Sequence, residues 1–363
     1  VRRPFAFALT LLLTGGLALP AAVPAAGSAT APSPSPSPSG YGDGLHRRDL
    51  HARGGISVRE VQPSRSSAKV PVLLVHGARP GGVATFDLPV PGGSLAADLA
   101  RAGHRTYVMD VRGYGRSTYP PAFSQDPSAN PPSVRSNQAV RDVDAAVDLI
   151  RSRTRVREVA VYGWATGGHW AGMYAALHPE KVSDLVIHNS LYSGTSRWPL
   201  QDEYEDPNRP GHPRPMPAWR AVTADALTAR WDQDIPVPDK DQWRDPRVRA
   251  AYQREALRAD PTSDDRDPPS FRNPTGPLVD AFYLAQGRQL WDAGLIDART
   301  LVLRSERDFW SRPEDVTRLM DHLTGAPRTR AVTLPGAIHH VHLDRPERGR
   351  SQLLSEVTTF LGM

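Results

Sequence analysis

Residues 160–170 read AVYGWATGGHW. A strand-like apolar run ends there in a turn bracketed by Gly163, Gly167 and Gly168, and a helical pattern follows with apolar positions at 171, 174 and 177. This is the signature of a strand, a strained residue and a helix packed back to back, which needs small residues on either side so that the two backbones can approach. A chain built around such a unit is α/β in class.

The surroundings agree. Short apolar runs at 55–61, 70–75, 105–110, 159–162, 182–188, 300–303 and 329–334 read as strands. Helical patterns lie between them at 95–102, 140–152, 168–177, 314–323 and 351–361. Near-continuous apolar strands alternating with helices predict a mostly parallel central sheet covered by helices on both faces. The alternation stops at 195–277, a segment dense in Pro, Asp, Arg and Trp that includes PNRPGHPRPMP and ADPTSDDRDPP. Only 218–231 and 248–258 look helical within it, and another helical stretch follows at 278–291. The expected organisation is therefore a core in two parts, 45–194 and 278–363, with a lid or cap inserted at 195–277.

Ahead of the core, Arg2 and Arg3 precede the apolar run FAFALTLLLTGGLALPAAVPAA, and small residues follow. That order predicts a signal peptide over 1–31, cut after Ala31 (or after Ala25), and hence a secreted protein. Arg2-Arg3-Pro4-Phe5 fits the general export route and loosely resembles a twin-arginine signal. Gly15, Gly16, Pro20 and Pro24 interrupt the run too early for a stable membrane anchor. PSPSPSPSG (32–40) is an extended spacer, which places the linker at 32–44. With no cysteine in 363 residues, stability must come from an ordinary core, because disulfides are excluded. The net charge of +5 is almost all arginine, with lysine only at 69, 181 and 240, and no basic run carries interleaved aromatics. Nucleic acid is not expected as a partner.

Three further stretches bear on chemistry. VPVLLVHGARP (70–80) runs from a buried strand into His76-Gly77, where a sharp turn can aim the next N–H groups into a site. DVRGYGRS (110–117) suits a tight loop at the carboxyl end of a strand, where open α/β sheets bind ligands. SERDFWSRPED and LPGAIHHVHLD place Asp308 and His339 on loops after the strands ending at Leu303 and Leu334. An acid and a histidine on such loops converge at one edge of the sheet, as a base and its orienting group must. Glu306 is an alternative acid. His340 and His342 adjoin His339, but a metal site is not expected on a turn without helical register. His169 and Trp170 read as structural, and Trp164 either lines a pocket or packs beneath it. The aromatics Trp198, Trp219, Trp231, Trp243, Phe282, Tyr283 and Trp291 either face the site or form a small core of their own.

Taken together, these motifs resemble the α/β-hydrolase fold superfamily over 55–194 and 278–363, in the family's order of nucleophile, acid and histidine. The resemblance puts Ala165 at the nucleophile position, Asp308 at the acid and His339 at the base. It implies an oxyanion hole from the N–H groups of Ala78 and Thr166, with His76, Gly77 and Trp164 beside the substrate. It implies no cofactor and a small-molecule or peptide substrate carrying an ester, amide or related acyl group. The departure is Ala165, which offers no oxygen for attack. Three readings stay open: a serine hydrolase whose nucleophile was replaced or lost, a His-Asp base acting without a covalent intermediate, and a ligand-binding protein that keeps the fold.

Overall fold

The computed structural model describes residues 42–63 and 69–363; the expected signal peptide and nearly all of the linker lie outside the described residues. The first strands are β1 (His46–Ala52) and β2 (Ile56–Gln62), joined by a turn in which Gly54 and Gly55 both take positive φ. Next come β3 (Val72–Val75), α1 (Gly82–Phe86), α2 (Leu95–Arg101), β4 (Thr106–Met109) and α3 (Ser136–Thr154). The elbow unit is β5 (Val159–Trp164) followed by α4 (Thr166–Leu177), and β6 (Val182–His188) follows it. The segment after β6 carries α5 (Gln201–Tyr204), β7 (Trp219–Thr223), α6 (Ala224–Asp234), α7 (Pro246–Ala259) and β8 (Ser270–Pro274). The chain ends with α8 (Gly276–Ala285), β9 (Arg299–Ser305), α9 (Pro313–His322), β10 (Thr329–Leu334) and α10 (Arg350–Leu361).

Eight strands form one sheet in the order β1-β2-β4-β3-β5-β6-β9-β10. Pairing is parallel from β4 through β10, while β1 and β2 extend one edge antiparallel. The two-residue period of a strand divides its side chains between two cores. Leu73, Val75, Val161 and Ile187 face Val143, Val147, Trp170 and Tyr174 of α3 and α4. Val72, Leu74, Ala160 and Val186 face Leu95 and Leu99 of α2 and Leu353 and Val357 of α10. Both faces are covered, which is why these strands carry no alternating polar positions.

The inserted segment departs from its sequence pattern in one place. Residues 219–223, expected to open a helix, form β7 and pair antiparallel with β8. Val222 and Thr223 suit the ladder, and Thr223 then caps α6 by accepting from the Ala226 N–H at 3.2 Å. Similarly, α8 ends at Ala285, ahead of Gly287 at φ 78°, instead of running on to Trp291. The segment has its own apolar cluster around Leu227, Trp231, Trp243 and Tyr252, and Ile338 and Leu343 of the loop after β10 reach into it.

Candidate active site

The tightest point of the fold is the elbow. Ala165 sits at φ 53°, ψ −121°, a conformation that alanine rarely adopts and that costs about 1–3 kcal/mol. Its N–H is tied to the His188 carbonyl at 2.8 Å, so the strain is held by the sheet. A methyl group on Gly167 would lie 2.2 Å from the Val75 carbonyl oxygen, and one on Gly163 would lie 2.2 Å from that of Gly167. The glycines are therefore required by close approach, and the turn projects the Ala165 side chain from the carboxyl end of β5.

His339 stands beside it, on the loop after β10. Its Nδ1 is 2.6 Å from Asp308 Oδ1, and the Asp308 side chain is fully buried. Burial alone would raise the Asp308 pKa; the charge and hydrogen bond of His339, with the donors of Ser311, outweigh it and hold the carboxyl below its ordinary value. The Ser311 N–H donates at 2.8 Å, the Ser311 hydroxyl donates to the same oxygen, and the Trp310 N–H donates at 3.2 Å. With an ionised acceptor on Nδ1, that nitrogen carries the proton, and Nε2 keeps its lone pair. Among the described residues no protein group meets Nε2. Glu306, the alternative acid, accepts instead from the Gly336 N–H at 2.6 Å.

Asn189, at φ 50°, was not singled out in the sequence. Its Nδ2 donates to the His339 carbonyl at 3.2 Å, and its Oδ1 accepts from the Ser305 N–H at 2.7 Å. It ties the base loop to the end of β9. Trp164 Nε1 donates to the same His339 carbonyl at 3.2 Å, and the Trp164 and Phe309 rings flank the imidazole with centroids 4.7 and 4.6 Å away.

The Ala78 and Thr166 N–H groups meet no protein acceptor among the described residues. Thr166 opens α4, where the first N–H groups lack helical partners and favour negative charge. A methyl group on Gly77 would lie 3.3 Å from the Ala165 side chain, which places the 77–78 turn directly against the elbow. Asn273 of β8, also missed in the sequence, donates to the Ala78 carbonyl at 2.9 Å and so orients that turn. His76 differs from expectation. Its Nε2 accepts from the Val111 N–H at 3.0 Å and its Nδ1 donates to the Gly77 carbonyl at 2.6 Å. Its ring positions the loop and is absent from the walls of the cavity beside Ala165.

That cavity, of about 220 Å³, is bounded on the core side by Gly77, Ala78, Trp164, Ala165, Thr166 and His339. Tyr204, Leu227, Arg230 and Tyr252 enclose it from the inserted segment, with Phe309, Trp310 and His340 beside the base. The aromatics weighed in the sequence lie elsewhere. Trp198 packs with Tyr204 and Trp310, Trp219 stacks on Phe123, and Trp231 stacks on the far face of the site against His340. Asp234 sits at this seam, its pKa pushed up to about 6 by burial against the opposing charges of Arg230 and His339.

A second buried polar chain includes His169 of α4, which lines a small cavity together with Ala165 and Thr166. Trp291 Nε1 donates to His169 Nδ1 at 2.8 Å, so His169 Nε2 carries the proton and donates to Ser136 Oγ at 2.7 Å. Ser136 Oγ donates in turn to Asp280 Oδ2 at 2.7 Å. Burial holds the His169 pKa down, at about 4.

A sequence model of the α/β hydrolase fold matches residues 70–346. The chain belongs to the α/β-hydrolase fold family. Among its relatives, it is 28% identical over 176 residues to a 2-hydroxy-6-oxononadienedioate/2-hydroxy-6-oxononatrienedioate hydrolase of Cupriavidus pinatubonensis, covering 44% of this chain and 54% of that one. It is 28% identical over 141 residues to a proline iminopeptidase of Xylella fastidiosa, covering 38% and 36%. The match thus spans about half or less of the length of these curated relatives. A serine-to-alanine mutant of the meta-cleavage product hydrolase from Pseudomonas fluorescens superposes with a TM-score of 0.56 at 15% identity, covering 86% of this chain and 97% of that one. A carboxyl esterase from Bacillus coagulans gives 0.55 at 16% identity, covering 88% and 98%.

Proposed function

We propose that the cavity is the acyl-substrate site of an exported hydrolase, with Ala165 standing where the covalent nucleophile would be and His339, oriented by Asp308, as the base. The observation that carries this reading is the 2.6 Å His339–Asp308 contact, with no partner on Nε2 among the described residues, beside a strained elbow. A hydroxyl at position 165 would attack the substrate carbonyl while His339 Nε2 takes its proton. The imidazolium would be stabilised by Asp308, and the developing oxyanion would be met by the Ala78 and Thr166 N–H groups. His339 would then protonate the leaving group and activate water to release the acyl group.

Without that hydroxyl, the intact base and donor pair support a second reading. His339 draws a proton directly from water or from the substrate, and the two N–H groups stabilise the charge that forms. The relatives act on different bonds, so their names select no substrate. Ala165→Ser tested against chromogenic esters separates the two. The expected result is a rise in kcat/KM of roughly 10⁴-fold or more, since losing the nucleophile of a serine hydrolase costs on the order of 10⁶. An unchanged rate overturns the first reading. Turnover by the Ala165 protein that His339→Ala abolishes supports the second.

A further inference from the structure

Among the described residues, one guanidinium in the cavity has no carboxylate within ion-pair distance. Arg79 follows Ala78, whose N–H forms half of the donor pair, and its side chain lines the same cavity. Its hydrogen bond goes to a neutral group, the Ala226 carbonyl of α6, at 3.1 Å. The second arginine in this cavity, Arg230, bonds Asp234 at 3.1 Å and lies over the Phe309 ring at 4.3 Å. The Arg79 side chain lines the cavity together with Tyr204, Tyr252 and His340. Glu203 is the acid on the wall, and it is exposed at the mouth.

We infer that Arg79 binds a carboxylate on the substrate, so that the ligand class is an ester or amide with a short apolar spacer between its scissile carbonyl and a terminal carboxylate. This rests on reading the cavity as the acyl-substrate site. A guanidinium presents two parallel N–H donors that match a carboxylate, and a partly desolvated one is a strong anchor. The apolar walls, Leu227 and Tyr252 among them, suit the spacer. One unpaired positive charge balances a monoanion, and a dianionic phosphate would leave a charge unmatched beside Glu203. Because Arg79 adjoins Ala78 in the chain, an anchored carboxylate also fixes the distance from the charged end to the oxyanion donors. Arg79 would thereby select for length as well as charge.

The test uses the full chain and two probes of nearly equal size, monomethyl adipate and dimethyl adipate. With alanine at 165, both bind without covalent turnover, and calorimetry reads the ratio of their dissociation constants. The anion is expected to bind roughly 10- to 100-fold more tightly, the value of one charge-assisted hydrogen-bonded contact. Arg79→Gln should bring the ratio close to one, and Arg79→Lys should keep part of it. Arg230→Gln should keep most of it. Circular dichroism and thermal unfolding of each variant establish that the fold is intact. A preference that survives Arg79→Gln, or that disappears with Arg230→Gln instead, overturns the assignment. Ala165→Ser assayed with the same pair separates this inference from the reading beneath it. Hydrolysis of both esters without preference for the anion refutes the role of Arg79 and keeps the hydrolase site. An Arg79-dependent preference in binding, with an inert Ala165→Ser protein, keeps the anion site and refutes the hydrolase reading. Failure of both probes to bind overturns both.

Discussion

Two acid–histidine constellations meet at the start of helix α4, and the comparison between them shows what makes one a candidate for catalysis. In one, Asp308 grips Nδ1 of His339, and Nε2 is left as an acceptor facing a cavity. No hydroxyl is present at Ala165. In the other, Asp280, Ser136 and His169 supply all three residue types of a hydrolytic triad at hydrogen-bond distances. Their order is wrong. The carboxylate grips the serine, Trp291 occupies His169 Nδ1, and Nε2 must therefore donate to Ser136. A histidine that already donates to the hydroxyl cannot take its proton. Ser136 and His169 are also both buried. The site with the correct polarity lacks an oxygen, and the one with an oxygen has the polarity reversed.

The largest effect expected from this contrast concerns rate. In an Ala165→Ser background, His339→Ala should cancel the gained ester hydrolysis, a loss of roughly 10⁴- to 10⁶-fold in kcat/KM. Ser136→Ala in the same background should change it by less than about tenfold. Steady-state kinetics on one chromogenic ester reads both. A comparable loss from Ser136→Ala would show that the second constellation takes part in the chemistry, and the contrast would collapse.

How far the site could be read beforehand follows from the same geometry. Ala165, Asp308 and His339 were legible because each lies at the carboxyl end of a strand with an apolar signature, and glycine punctuation marks the turns. The resemblance put Gly77 and Trp164 beside the substrate, and both line the cavity. Asn189 and Asn273 were not legible, since they act through backbone carbonyls that only the fold brings to them. His76 looked like a substrate contact because it adjoins Gly77, yet its ring is taken up by the Val111 amide. The strand β1 was hidden too. HRRDLHA is an edge segment dominated by charge, and its pairing with β2 depends on a partner instead of its own pattern. In the inserted segment, Trp and Pro density said little about which rings face the cavity. Of those that do, Tyr252 is held by the segment's own apolar cluster, and Tyr204 packs against Trp198 in the core shared with α2 and α10.

The buried histidines give the next effect, on stability. Burial lowers the pKa of His76, His169, His188, His340 and His342, with His169 near 4 and His188 near 3. Each is neutral in the folded chain and charges near pH 6.5 when unfolded. The sign follows directly: their stabilisation is complete above the unfolded value and is lost as pH falls towards the folded one. Each such histidine contributes a slope of up to about 1.4 kcal/mol per pH unit in that window. Asp234 and Asp344, both raised by burial, act in the opposite direction and offset part of it. Urea unfolding at pH 7.5 and pH 5.5 should show a clear loss at the lower value. A flat profile would mean that protons enter the core without unfolding it.

Ser136→Ala should next cost about 1–3 kcal/mol, because it strips a buried donor from Asp280 and a buried acceptor from His169. Asp280 keeps Arg135, whose Nε donates at 2.6 Å, so the charge itself stays paired. Thermal or urea unfolding measures the loss. An effect below a few tenths would mean that water replaces the hydroxyl and that the second constellation is looser than its distances imply.

The smallest expected effect lies at Asp234, which feels His339 and Asp308 from the inserted segment. Its folded pKa of about 6 lies above the ordinary value, so the folded state binds its proton more tightly than the unfolded chain does. The stability it contributes is present below the unfolded value and is lost as pH rises through about 6. Asparagine resembles the protonated form. Asp234→Asn should therefore match the parent at low pH and become the more stable of the two above pH 6, as measured by urea unfolding across that range. A profile for Asp234→Asn that runs parallel to the parent's across that range would mean that Asp234 is ionised throughout and that burial does not hold its proton.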